Sequence, residues 1–291
     1  MFKIKLLFLR IIRKINLLQK YNFCFSKKIN GINITIPFIN GIGIANFVHK
    51  TNWLDLLIKG FANEEKGMFV DVGVNIGQTL IRVKTLFPDI IYLGFEPNST
   101  CTHYTQELIR KNKFDNCMVY NCALSTKVQN IILEKSLADD KRASIVSALR
   151  PNSFTQYEYV LGVNFDALVF KEKVSFVKID VEGAEYEVLS GMTQMIKENQ
   201  PIVTCEVLDG HGQENLEFSQ KRADSVLDLL HSLDYSIIQL HTNKSSIQSY
   251  EKLDGFQIVQ WTPASAALND YIFYPNNKEK EVLGILNDLN K

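Results

Sequence analysis

The sequence of 291 residues carries no net charge, with 32 basic and 32 acidic residues, and so lacks the basic excess of a general nucleic-acid-binding surface. It also lacks any Cys-x-x-Cys pair. Its five cysteines, Cys24, Cys101, Cys117, Cys122 and Cys205, are odd in number and scattered. That suits reduced thiols in the cytoplasm better than a disulfide framework or a zinc site. No internal repeat is present, which removes solenoids and propellers, and no low-complexity linker divides the chain. What remains is 46% hydrophobic and 22% charged, the composition of a globular chain with a sizeable core.

The missing charge conceals an asymmetry. Residues 1–30 hold eight of the basic residues and no acidic one. In Met1–Lys20 the longest unbroken apolar run is Leu6–Leu9, far short of the ~20 residues of a membrane span. No small-residue cleavage site follows. On a helix, Ile4, Leu7, Phe8, Ile11, Ile12, Ile15 and Leu18 share one face while Lys3, Arg10, Arg13, Lys14 and Lys20 gather on another. This pattern fits peripheral contact with an anionic membrane face through residues 1–20, and more simply a helix docked on its own domain or paired with a partner chain.

From Gly67 onward, short β-branched or aromatic runs alternate with helical patterns, as in a mostly parallel sheet covered by helices. Strands are expected at Met68–Val72, Ile91–Glu96, Met118–Ala123, Ser175–Asp180, Ile202–Val207, Ser236–Leu240 and Tyr271–Tyr274. The expectation is therefore an α/β fold: a Rossmann-like sheet of seven strands with helices on both faces and an amphipathic N-terminal helix. The chain divides into residues 1–30, a basic segment; 31–66, an accessory strand (Ile32–Pro37) and a helix (Asn52–Phe61); and 67–291, the main domain. Between Asn130 and Phe170 the pattern weakens. Ala138–Arg142 could be a loop over the site, or the stretch could be a hairpin and a short helix.

The first main strand ends in Phe69-Val-Asp-Val-Gly-Val-Asn-Ile-Gly-Gln78 and leads into a helix. Gly73 and Gly77 permit a tight turn and close approach of a ligand at the carboxyl end of a strand. A dinucleotide loop reads G-x-G-x-x-G, and here its second and third glycines would be Asn75 and Gln78. A pyrophosphate is thereby disfavoured. S-adenosylmethionine has no phosphate and an amino-acid end, which Asp71 and Asn75 suit better. Glu96, 23 residues after Gly73, ends the second strand where a carboxylate accepts ribose hydroxyls, although it could instead cap the next helix. Asn121 follows the third strand and would border the adenine, or serve only as a turn former.

The segment Val174-Ser-Phe-Val-Lys-Ile-Asp-Val-Glu-Gly-Ala-Glu-Tyr-Glu-Val-Leu-Ser-Gly191 brings Asp180 to the sheet edge, with Glu182 and Glu185 close behind. Crowded carboxylates perturb one another and mark a candidate site. Glu185 and Glu187 read more simply as solvated acids in a first helical turn.

With Phe69–Gln78, Gly94–Asn98, Asn121–Ser125, Asn164–Leu168 and Lys178–Gly191 in that order, the sequence resembles the FkbM-type methyltransferases over roughly Asn52–Val207. Val74 stands where the family more often has Ala. The resemblance implies the class I methyltransferase fold, S-adenosylmethionine as cofactor, and O-methylation of a hydroxyl-bearing acceptor, often a sugar in a polysaccharide, glycolipid or natural-product glycoside.

Methylating an alcohol needs a base for its proton. The candidates are Asp180 and His211, the latter in Glu206-Val-Leu-Asp-Gly-His-Gly212. A divalent metal on Asp180, Glu206, Asp209 and His211 would match no established spacing, so none is expected. The competing readings are a nicotinamide-dependent oxidoreductase on a similar sheet, and a non-catalytic cofactor-binding module recruited to a membrane complex. Neither acceptor nor oligomeric state follows from the sequence. The expected compartment is the cytoplasm, including the inner face of its membrane.

Overall fold

The computed structural model describes residues 5–289 apart from 7, 10, 11, 13, 15, 16, 49, 51, 63–66, 137–142, 147–153 and 244. The segment expected as a loop over the site, Ala138–Arg142, lies outside the described residues.

Strands β1 (Phe23–Ile29) and β2 (Ile32–Phe38) form an antiparallel hairpin. Its two-residue turn, Asn30-Gly31, has positive φ at both positions (45° and 86°), the geometry that matches the twist of the flanking strands. The division expected at residue 30 therefore falls inside this turn, and the basic segment is continuous with the accessory strand. Phe23, Phe25 and Phe38 pack together with Phe47 of α1 (Ile44–Phe47), and Phe8 meets Phe23 and Phe25 edge to face. Leu9, Ile12 and Leu18 are buried in the same cluster, so the described part of the N-terminal segment docks on the domain. Helix α2 (Trp53–Phe61) starts where Asn52 and Asp55 form a capping box, close to its expected limits.

β3 (Met68–Val72), β4 (Tyr92–Phe95), β5 (Cys117–Tyr120), β9 (Val174–Ile179) and β10 (Ile202–Glu206) are mutually parallel, while β11 (Tyr235–Thr242), β12 (Ile247–Leu253) and β13 (Asp270–Pro275) add antiparallel pairings. Among the described residues they form a main sheet of eight strands rather than seven, in the order β12-β11-β13-β10-β9-β3-β4-β5. The unexpected strand is β12. It reads Ile-Gln-Ser-Tyr-Glu-Lys-Leu, and an edge strand with so polar a surface shows little apolar signal.

The expected third strand is also divided. β5 stops at Tyr120, and Ala123–Leu124 forms β6 in a separate small sheet with β7 (Gln129–Lys135) and β8 (Gln156–Val163). The indistinct stretch after Asn130 thus contains the β7–β8 hairpin.

Helices cover both faces. α2, α3 (Gln78–Leu86), α4 (Ser99–Asn112) and α8 (Glu279–Leu289) share one core with the N-terminal hairpin, through residues such as Leu57, Leu80, Leu108 and Leu286. On the other face, α5 (Glu185–Ser190), α6 (Thr193–Asn199) and α7 (Leu216–Ser232) bury Leu189, Ile196 and Leu230. The chain runs from β3 outward to β5, then returns to β9 on the other side of β3. That reversal opens a crevice at the carboxyl ends of β3, β4 and β9, where open α/β sheets bind ligands.

Candidate active site

A cavity of about 310 Å³ lies in this crevice. Its walls come from the β3–α3 loop (Gly73, Asn75, Gln78), the end of β4 (Phe95, Glu96, Pro97), the segment after β5 (Cys122, Ala123, Leu124), the β9–α5 turn (Asp180, Val181, Glu182) and Glu206 of β10. The small sheet roofs it with Leu133, and the segment beside it adds Ala143 and Ile145. Ser144 fixes that roof by donating to the Glu182 carbonyl (2.8 Å).

Of the residues expected to bind a cofactor, Gly73, Asn75 and Glu96 line the cavity, and Asp180, which the sequence also brings to this edge, lines it with them. Glu96 is buried, and its two oxygens accept the backbone N–H groups of Asn75 (2.7 Å) and Asn98 (2.8 Å). One carboxylate thereby fixes the glycine loop and the turn after β4 together, while still bordering the cavity. Burial raises it to about 7, against the lowering effect of those two hydrogen bonds.

Gly73 and Gly77 answer to the chain itself. A β-carbon on Gly73 would stand 1.9 Å from the Asp180 carbonyl, and φ is +85°. On Gly77 it would press at 3.0 Å and 3.1 Å against Leu108 and Thr105 of α4. The first glycine lets β3 and β9 turn past each other, and the second seats α4.

Asp71 does not line the cavity. It is fully buried below it, accepting a short hydrogen bond from the Tyr92 hydroxyl, and the Lys178 ammonium lies 3.3 Å away. Lys178 stands equally 3.3 Å from Asp180 and donates to the Gly73 carbonyl (2.9 Å). Asp71 and Asp180 together raise the Lys178 ammonium against the effect of its burial. Lys178 thus carries the influence of Asp71 to the cavity floor. Asn121 is exposed and absent from the wall. Its amide donates to the carbonyls of Glu96 and Pro97 (3.0 Å each), and its neighbours Cys122 and Ala123 take the wall positions.

The two expected bases separate. Asp180 lines the cavity with its side chain 43% exposed. His211 stacks on Trp261 (5.4 Å between rings) in a loop tied to the chain around Val259, and is not part of the wall. Asp209 beside it is buried and accepts the Val259 N–H (3.2 Å). Among the described residues no group of three or more His, Cys, Asp or Glu side chains could hold a metal ion.

Glu185 departs from its reading as a solvated acid. It is buried, accepts the Gly183 N–H (2.8 Å), and is raised to about 7 by burial. Glu187 instead pairs with Arg222, which also donates to the Gly183 carbonyl (2.8 Å). Two further carboxyls stand at this edge of the cavity without a local sequence signal for it: Glu206, which the sequence offers only as a conceivable metal ligand, lines the wall, and Asp270 is brought alongside by an antiparallel strand.

Several solved structures resemble the chain. Methyltransferase FkbM from Methylobacillus flagellatus KT is 16% identical with a TM-score of 0.44, over 72% of this chain and 43% of that one. A putative caffeoyl-CoA O-methyltransferase from Staphylococcus aureus is 14% identical with a TM-score of 0.41, covering 80% and 88%. M. jannaschii TYW2 in complex with AdoMet is 12% identical with a TM-score of 0.42, covering 86% and 83%. The chain spans less than half the length of the first of these. No curated protein matches it. The model of the methyltransferase FkbM domain matches residues 71–237, more than half of the chain. The chain therefore belongs to the FkbM methyltransferase family, whose methyl donor is S-adenosylmethionine.

Proposed function

We propose that the protein methylates a hydroxyl oxygen of a sugar in a polysaccharide, glycolipid or glycosylated natural product. The observation that carries this reading is that Glu96 and Asp180 line a single cavity at the strand-order reversal. In this reading one carboxylate accepts the ribose hydroxyls and the other an acceptor proton.

The residues fit the donor. Phe95, Cys122 and Leu124 offer apolar surface for an adenine, Glu96 an acceptor for the ribose, and Asn75 and Gln78 polar groups near the glycine loop. Gly73 shapes that loop, Asp71 and Gly77 support it from behind, and Asn121 holds the turn after β4 that carries Glu96. When bound, the donor supplies a methyl carbon made electrophilic by its sulfonium. Asp180 accepts the acceptor's hydroxyl proton as the oxygen bonds to that carbon. The walls orient the reactants, and such alignment can lower a barrier by roughly 7–11 kcal/mol. His211 is the second candidate base in this reading.

The sugar comes from the family resemblance, and the odd, scattered set of five cysteines favours a cytoplasmic setting. For residues 1–20, the burial of Leu9, Ile12 and Leu18 favours docking on the domain over membrane contact.

The test is incubation with methyl-labelled S-adenosylmethionine and fractionated cell glycans, lipids and proteins. Alkali-stable label recovered as a monosaccharide methyl ether supports the reading. Label recovered on protein side chains, or as an alkali-labile ester, contradicts it.

A further inference from the structure

Strand register lines up two more carboxyl groups beside Asp180. Cys205 of β10 pairs with Ile179 of β9, so the next residues, Glu206 and Asp180, stand side by side. On its other flank Glu206 pairs directly with Asp270 of β13. Three carboxyls thus occupy adjacent strands, spaced at about 4.8 Å through their backbones. Glu206 faces the same cavity as Asp180.

We propose that Glu206 is a positioning residue for Asp180: as a carboxylic acid it donates a hydrogen bond to the Asp180 carboxylate, and Asp270 on its far side enforces that acid form. The consequence for catalysis rests on the methyl-transfer reading above, whereas the state of Glu206 can be tested without it.

The charges around the row require a proton. Glu182 in the β9–α5 turn adds a fourth carboxyl, and the cation facing the group among the described residues is Lys178, 3.3 Å from both Asp180 and Asp71. Thr242 of β11 offers Asp270 only a long hydroxyl contact of 3.5 Å. Like charges at this separation in a half-buried site cannot all persist. Asp180 has the ammonium, so the proton falls to Glu206. Burial, followed by the charges of Asp180, Asp270 and Glu182, raises Glu206, while burial and Asp180 raise Asp270 to about 7.

In the reaction the acceptor O–H bond breaks and its proton passes to Asp180. The oxygen's electron pair forms the new bond to the methyl carbon, and the carbon–sulfur pair leaves on sulfur. The hydrogen bond from Glu206 holds the receiving carboxylate in place. Asp180, partly open to solvent, then releases the proton.

Difference infrared spectroscopy on the ligand-free protein at about pH 8.5, where carboxyls titrating near 7 are ionised, should show a protonated-carboxyl band that disappears in Glu206→Gln. Asp270→Asn should move the loss of that band to lower pH. A band unchanged by Glu206→Gln, or unmoved by Asp270→Asn, overturns the proposal, whatever the activity. With the acceptor fraction that takes label in the preceding experiment, Glu206→Ala should lose at least about tenfold in kcat. The wild-type rate should fall at alkaline pH as Glu206 loses its proton, and Glu206→Gln, which keeps a neutral donor, should recover most of the Ala variant's loss and lack that fall. A Gln variant as slow as the Ala variant, with normal thermal unfolding, also overturns it. If no hydroxyl fraction takes label, the methyl-transfer reading fails separately, and the infrared result still decides the state of Glu206.

Discussion

The Lys178 ammonium lies 3.3 Å from the Asp71 carboxylate, in a position where Asp71 has no access to solvent. The two residues are register partners on β9 and β3, and the same ammonium reaches Asp180 at the cavity floor. A buried charge left without its partner typically costs about 3–5 kcal/mol. Lys178→Met should lower the unfolding free energy obtained from urea melts by an amount on that scale and impair methyl transfer, because Asp71 and Asp180 both lose their cation. Wild-type stability in this variant would show that Asp71 is held by Tyr92 alone.

Asp180→Asn keeps the shape of the side chain but cannot take a proton. Positioned acid–base groups contribute about 10²–10⁴ in rate, so kcat should fall on that scale. His211→Ala should cost less than about tenfold, since the ring packs on Trp261 away from the cavity wall. Steady-state rates of the two variants, measured with the labelled acceptor, separate the bases. The opposite ranking would make His211 the base.

Stability should fall as pH rises from about 5 to 8. Glu96 and Glu185 are raised from an ordinary 4.5 to about 7, and Asp270 from 3.8 to about 7, each mainly by burial. A group raised on folding binds its proton more tightly in the folded chain. Its contribution is fully present below the unfolded value and is lost as pH passes the folded one. Urea melts of Glu185→Gln, which retains an oxygen for the Gly183 N–H, should show a flatter decline than wild type. Parallel curves would show that Glu185 does not titrate in this range.

Gly73→Ala should compromise folding. The added carbon would overlap the Asp180 carbonyl at 1.9 Å, and neither backbone can withdraw without breaking the β3–β9 pairing. The predicted loss is several kcal/mol, since steric overlap adds to a strained φ. Gly77→Ala meets only side chains, at 3.0 Å and beyond, and should be milder. Comparing the two urea midpoints checks the order.

The part of the site legible in the sequence is the part built from short contiguous segments. Met68–Val72 is found at its expected limits, and the turns after β3, β4 and β9 meet at one cavity because parallel strands deliver their carboxyl ends to the same edge. Roles that depend on side-chain direction were less legible. Asp71 and Asp180 flank one lysine, yet only Asp180 reaches the cavity. Glu185 follows a turn that tucks it inward, where a helical first turn alone suggests solvent. Asp270 is joined to Glu206 only by long-range antiparallel pairing, and β12 has the polar face of an edge strand, so neither carries a local signal.

The most direct test of the account is calorimetric titration of S-adenosylhomocysteine into wild-type protein and Glu96→Ala, with NAD as the control ligand. The account predicts binding to wild type, binding at least about tenfold weaker in the variant, a loss of ~1.4 kcal/mol or more, and no heat with NAD. Binding of NAD without S-adenosylhomocysteine, or equal affinity in both proteins, would contradict it.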